Sequence, residues 1–303
     1  MQKTILLCLA LVGYLAAHAQ IIQKSNVYVF DLKQYNDSTF QLSQPRYLTA
    51  FNSNGYNNHP AFFSKNELCL SVQTLEDRQP DLYLFDLEKK TKTRLTQTAE
   101  GEYSAFPMGD GYRFSAVRQE YGRTDSTLTL WEFPIDRLHD GRPIFKYIRN
   151  IGYYQWLNSS QVAAFFVGNP NSLAIVDVRT DSRTPVATNV GRCFRKLPNG
   201  NLAYVSKSST GPWELKQKKL IGQETQEEKE RGITIAETLP GVEDFAVLPD
   251  GSFLMGKSSR LYHLNPRSRN PEWKEISNLQ FYRINNITRL ALSDDMKLAI
   301  VAE

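Results

Sequence analysis

Phe62-Phe63-Ser64-Lys65-Asn66-Glu67-Leu68-Cys69-Leu70-Ser71-Val72, followed after a polar gap by Asp81-Leu82-Tyr83-Leu84-Phe85-Asp86, is the stretch whose reading decides the fold. An apolar run ends in a tight polar turn, a second run leaves it, and a third, aromatic run closes on an acid. Short apolar and aromatic runs bounded by turn residues read as β-strands. Weaker copies of the same unit recur to the end of the chain, and self-similarity at a steady period is the mark of a repeat architecture.

The tight turns form one series: Ser64-Lys65-Asn66, Gly109-Asp110-Gly111, Asn158-Ser159-Ser160, Pro198-Asn199-Gly200, Pro249-Asp250-Gly251 and Ser293-Asp294-Asp295. Their Gly, Asn and Asp residues suit the positive φ values of short hairpins. The spacing, roughly 40 to 51 residues, is the period of a four-stranded propeller blade. A second series is the aromatic third strand. Asn26-Val27-Tyr28-Val29-Phe30-Asp31-Leu32 nearly repeats Asp81 to Leu87, and Leu128 to Phe133, Leu173 to Val178, Trp213 to Leu220 and Leu261 to Asn265 follow it more loosely. The fourth strand is least regular, with its clearest copies at Arg46-Tyr47-Leu48-Thr49 and Thr93-Arg94-Leu95-Thr96.

The two series are out of phase. The chain opens with a third and fourth strand over Asn26 to Ala50 and ends with a first and second strand over Ile287 to Ala302. Five complete blades lie between, at 57–97, 102–149, 151–190, 192–239 and 242–277. Joining the orphan halves makes a sixth blade and removes the free sheet edges of a broken ring. The expectation is an all-β, six-bladed propeller occupying 20–303 as a single domain, closed by pairing Met296–Ala302 with Asn26–Leu32. A seventh blade would have to hide in one long inter-strand segment. The charged stretch Gln226 to Arg231 falls on the outer wall, between third and fourth strands, as a solvated loop or short helix.

Residues 1–19 read as a secretory signal peptide: Lys3, an apolar run from Ile5 to Leu15, and the small-x-small site Ala17-His18-Ala19. The run is shorter than the about 20 apolar residues a membrane span needs, and Leu7 before Cys8 is too bulky for a lipobox. The reading is therefore an exported protein, most readily periplasmic, with extracellular release as the other option. Two cysteines remain, Cys69 and Cys193, in apolar strands of blades on opposite sides of the ring, and are expected unbridged. The net charge, +4 with Lys3 contributing one, gives no electrostatic footprint for nucleic acid.

The residues supply no catalytic grouping. There is no G-x-S-x-G elbow, no Gly-rich phosphate loop, and His59, His139 and His263 have no metal-ligand spacing. No cofactor is expected. One constellation stands out. Aligned on the turns, the entries to the innermost strands are Asn58-His59, Glu102-Tyr103, Gly152-Tyr153, Arg192-Cys193, Glu243-Asp244 and Ile287-Thr288. Polar and aromatic residues thus converge at one mouth of the central channel, where propellers receive ligands. His59, Tyr103, Tyr153, Arg192 and Asp244 are the candidate partner-binding rim. Wet channel mouths are also polar for no functional reason. Glu102, Glu243 and Asp244, with Asn57 and Asn58, are the only supply of oxygen ligands for a central Ca²⁺, and none is assigned as a metal ligand.

His59-Pro60-Ala61-Phe62-Phe63-Ser64, Leu82-Tyr83-Leu84-Phe85-Asp86 and Arg94-Leu95-Thr96 resemble the TolB-type propeller repeat, with Phe63 in the place of its Trp. The resemblance spans nearly the whole mature chain but is specific only in the first complete blade and the two terminal half-blades. It implies a six-bladed ring in the bacterial cell envelope that binds another envelope or peptidoglycan-associated protein and is not catalytic. The best-known member's additional N-terminal domain before the propeller is expected to be absent, since only a few residues separate Gln20 from Asn26. The alternative is a Ca²⁺-dependent lactonase- or lyase-like enzyme on the same kind of ring.

Overall fold

A computed structural model describes residues 23–122 and 125–303; the signal-peptide reading lies outside them. The chain begins with β1 (Asn26–Gln34) and β2 (Phe40–Tyr47). Blade one is β3 (Tyr56–Phe62), β4 (Glu67–Gln73), β5 (Asp81–Asp86) and β6 (Thr91–Arg94); blade two is β7 (Gly101–Pro107), β8 (Arg113–Tyr121), β9 (Ser126–Pro134) and β10 (Arg142–Pro143). Blade three is β11 (Ile151–Trp156), β12 (Gln161–Phe166), β13 (Ser172–Asp177) and β14 (Arg183–Thr188). Blade four is β15 (Val190–Lys196), β16 (Leu202–Ser206), β17 (Glu214–Lys218) and β18 (Ile233–Glu237), with α1 (Gln226–Arg231) before its last strand. Blade five is β19 (Ala246–Val247), β20 (Phe253–Lys257), β21 (Arg260–Leu264) and β22 (Lys274–Asn278), and the chain ends with β23 (Ile287–Leu292) and β24 (Lys297–Ala302).

Six four-stranded antiparallel sheets result, and the sixth has the order β2-β1-β24-β23. Asn26 lies opposite Ala302 and Asp31 opposite Lys297, so the two chain ends close the ring as the offset of the repeats predicts. Packing closes it a second time. Side chains alternate across a strand, and in β4 Leu68, Leu70 and Val72 meet Val27, Val29, Ala299 and Val301 of the closing blade. Cys69, between them, faces Ala105, Phe114 and Ala116 of blade two. Both faces are buried, which is why β4 reads as an almost continuous apolar run. Each of the six hydrophobic clusters sits between two neighbouring blades, one per interface around the circle.

Some local expectations are corrected. The terminal fourth strand is Phe40–Tyr47, not Arg46–Thr49; Phe40 and Leu42 pack on blade five. The first strand of blade five shrinks to Ala246–Val247. Positive φ occurs in the turns at Gly111, Gly200 and Gly251, and in the last turn falls on Met296. The Ser64–Asn66 and Asn158–Ser160 turns instead use side chains, Asn158 Oδ1 accepting from the Ser160 amide at 2.9 Å, the Asx-type substitute for a backbone turn. α1 carries a capping box, in which Thr225 and Glu228 exchange side-chain-to-backbone bonds. Cys69 and Cys193 are free and buried.

Candidate functional site

The innermost strands β3, β7, β11, β15 and β23 each break register at the same end of the channel. The shifts lie between Asn58 and Ala61, Tyr103 and Phe106, Ile151 and Tyr153, Val190 and Phe194, and Ile287 and Arg289. A β-bulge re-aims the side chains around it. Here it turns residues of five blades toward one space, and Asp244, just ahead of β19, joins from the remaining blade. His59 and Ser104 both have positive φ, 54° and 52°, a conformation costing roughly 1 kcal/mol or more for residues with a Cβ. These two strained residues meet in a hydrogen bond between His59 Nδ1 and Ser104 Oγ.

The His59 ring stacks on Tyr153, with centroids 5.6 Å apart and planes 8° from parallel. Tyr103 lies against the same ring at 5.7 Å and Tyr56 at 6.2 Å. Burial, then the nearby Arg289 and Arg192 charges, hold the His59 pKa well below its ordinary value, so the imidazole is neutral at pH 7. Arg289 lies over the Tyr153 ring at 5.0 Å and donates from Nη2 to the Tyr153 hydroxyl at 2.9 Å. Burial opposes the Arg289 charge, but Tyr153 and Asp244 outweigh it and raise its pKa. Asp244 is buried and accepts from the Leu290 amide at 2.8 Å. Burial raises its pKa against the pull of Arg289, Arg195 and Arg192. Glu243 is shared between Arg192, 3.3 Å away, and Lys207, 2.5 Å away. Burial pushes its carboxyl upward, but these cations prevail and lower its pKa.

His59, Tyr153, Arg192 and Asp244, all named from the sequence, line one cavity of about 40 Å³ together with Ser104 and Arg289. Tyr103 is not in its wall but braces His59 from the side. Arg289 was missed because the bulge at Thr288 displaces it by one residue from the aligned position. The only signal for it is a lone charged residue within Ile287–Leu292, whose other residues are apolar apart from Thr288.

The oxygen ligands considered for Ca²⁺ do not come together. Asn57 is fully buried and ties Ser25 O and Asn52 O, at 2.7 and 2.9 Å, into the N-terminal closure. Asn58 Oδ1 accepts from the His59 amide at 2.8 Å. Glu102 accepts from Arg118 Nε at 3.0 Å and from Thr98 Oγ1 at 2.6 Å. Burial pushes its carboxyl up to about 7, with Thr98 and Arg118 pulling the other way. Among the described residues no three His, Cys, Asp or Glu side chains converge on a point where they could hold one metal ion.

No family model matches the sequence, and no curated protein matches it. Solved structures do match. TolB from Acinetobacter baumannii is 12% identical with a TM-score of 0.55, over 97% of this chain and 67% of that one. A protein from Agrobacterium tumefaciens designated TolB is 12% identical with a TM-score of 0.61, over 92% of this chain and 98% of that one. A puromycin hydrolase is 15% identical with a TM-score of 0.56, over 90% of this chain but only 48% of that one. The chain thus has the architecture of a six-bladed β-propeller. It shares that fold with the TolB structures, whose repeat its motifs resemble. A fold hosts many functions, and this one is shared with a hydrolase, so function has to be argued from the site.

Proposed function

We propose that this chain is an exported, non-enzymatic binding propeller of the bacterial cell envelope. It seats another envelope protein, or one associated with peptidoglycan, at the channel mouth around His59, Tyr103, Tyr153, Arg192 and Asp244. The observation that carries this reading is convergence: aromatic and cationic side chains from different blades are turned by bulges toward one channel end. Tyr and Arg are the residue types that most often dominate interface energy. Side chains deeper in the blades are occupied in blade-to-blade packing, which leaves specificity to rims and loops. Lys3, the Ile5–Leu15 run and Ala17-His18-Ala19 support export, with the periplasm as the expected compartment. The fold shared with TolB structures agrees with a role in protein binding.

The competing surface is α1, whose charged side chains are solvent-exposed on the outer wall. A segment of that kind loses entropy on ordering against a partner. Capture from native envelope, with wild-type protein and Arg192→Ala as paired baits, tests the reading. A protein recovered with wild type and depleted with Arg192→Ala supports it. The same protein recovered equally by both places the contact elsewhere.

A further inference from the structure

We infer that the channel cavity is a receptor for a single carboxylate group, held between Arg289 and Arg192. This rests on reading the channel end as the binding surface, and it names the chemistry that surface takes. The charges are unbalanced in favour of an anion. Arg192 and Lys207 share one carboxylate, Glu243. Arg289 and Arg195 act on the other, Asp244, which spends a lone pair on the Leu290 amide. Four cations therefore face two carboxylates. Among the described residues no carboxylate oxygen comes within ion-pair distance of Arg289.

The donors are also unspent. Arg289 Nε is buried and has no hydrogen-bond acceptor on the protein, and Arg192 Nε, buried 3.3 Å from Glu243 Oε1, makes an ion pair there but no hydrogen bond. A buried donor without a partner destabilises the free protein, more so when it is charged. An incoming anion that accepts from both removes that cost. Arg289 is preset for the task, since the Tyr153 hydroxyl and ring fix its guanidinium from one side and His59 stacks behind Tyr153. A guanidinium fork suits a planar carboxylate. Size and charge narrow the ligand further. About 40 Å³ holds a group of a few atoms, given that one water needs about 10–15 Å³. The Asp244 carboxyl in the same wall disfavours a dianion, so a monoanionic carboxylate fits better than a phosphate. The carboxylate can arrive as a free small acid or on a polypeptide, as a chain terminus or an Asp or Glu side chain.

The test is thermal melting and titration of the full mature protein with acetate against chloride at matched ionic strength. Acetate should raise Tm above chloride in wild type, by mass action on the native state. The effect should weaken about tenfold in apparent affinity in Arg289→Gln. Arg192→Gln, at a residue one-third exposed, supplies the same readout should Arg289→Gln not fold. Three tri-alanine probes then separate the sources: one with a free C-terminus, one amidated, and one capped at both ends with a central Asp. Preference for the free terminus identifies a chain end, preference for the Asp probe a side chain, and acetate alone a free acid. Equal Tm in acetate and chloride overturns the inference, as does an acetate effect unchanged in both variants. Either result leaves the protein-binding reading standing, because capture of a partner is scored separately.

Discussion

Glu102→Gln is the substitution whose effect the structure fixes in sign. The Glu102 carboxyl is fully buried between blades one and two, and its pKa is pushed up to about 7 from an ordinary 4.5. The native state therefore binds this proton more tightly than the unfolded chain does. Stability from this group is fully present below about pH 4.5 and is lost as pH rises through about 7. That displacement corresponds to roughly 3 kcal/mol across the window. Glutamine is close in shape to the protonated acid and does not titrate. Near pH 4 the two proteins should be close in stability. By about pH 8 the variant should have gained roughly 3 kcal/mol relative to wild type. Urea unfolding of both proteins at four pH values across that range gives the difference directly. The opposite slope, with the variant losing ground as pH rises, would mean that the Arg118 pair at 3.0 Å outweighs burial, and the reasoning would be refuted.

Deleting Met296–Glu303 removes β24, which sits between β1 and β23, and should give an aggregating or proteolysed product; a soluble, cooperatively melting deletion would contradict the closure. Gly256→Ala should destabilise by about 1–3 kcal/mol in urea titration, because its Cβ would lie 2.2 Å from Ile287 Cγ2 of the neighbouring blade. Ca²⁺ and chelator should leave the melting midpoint unchanged, since Glu102 and Glu243 are engaged by cations of the chain; a large Ca²⁺-dependent rise would favour the lactonase- or lyase-like alternative.

Much of the ring was legible because its signals are local. A turn and its two flanking strands fit within about a dozen residues, and the matching of Asn26–Leu32 to Asp81–Leu87 carried the closure. What the sequence hid depends on register. β2 has few apolar residues, because an outer strand has one face to bury, so Phe40 and Leu42 gave too short a pattern to place it. Glu102 lies directly opposite Arg118 in the β7–β8 ladder, a pairing visible only once the strands are aligned. Each bulge also inserts residues that alignment on the turns does not count. Hence alignment on the turns reaches His59, Tyr153 and Arg192, which line one cavity, but not Arg289 in the same wall, and it sets near the mouth Asn57 and Glu102, which are committed to blade contacts.

The central claim is that the partner seats at the channel end, and photo-crosslinking in the native envelope tests it most directly. One photoreactive side chain replaces Thr288, which neighbours Arg289 on the innermost strand β23. Another replaces Glu227 on α1, where the side chain is 78% exposed. The account predicts a discrete adduct from position 288 that Arg192→Ala diminishes, and none from position 227. An adduct from 227 with none from 288 would put the partner on the outer wall and contradict it.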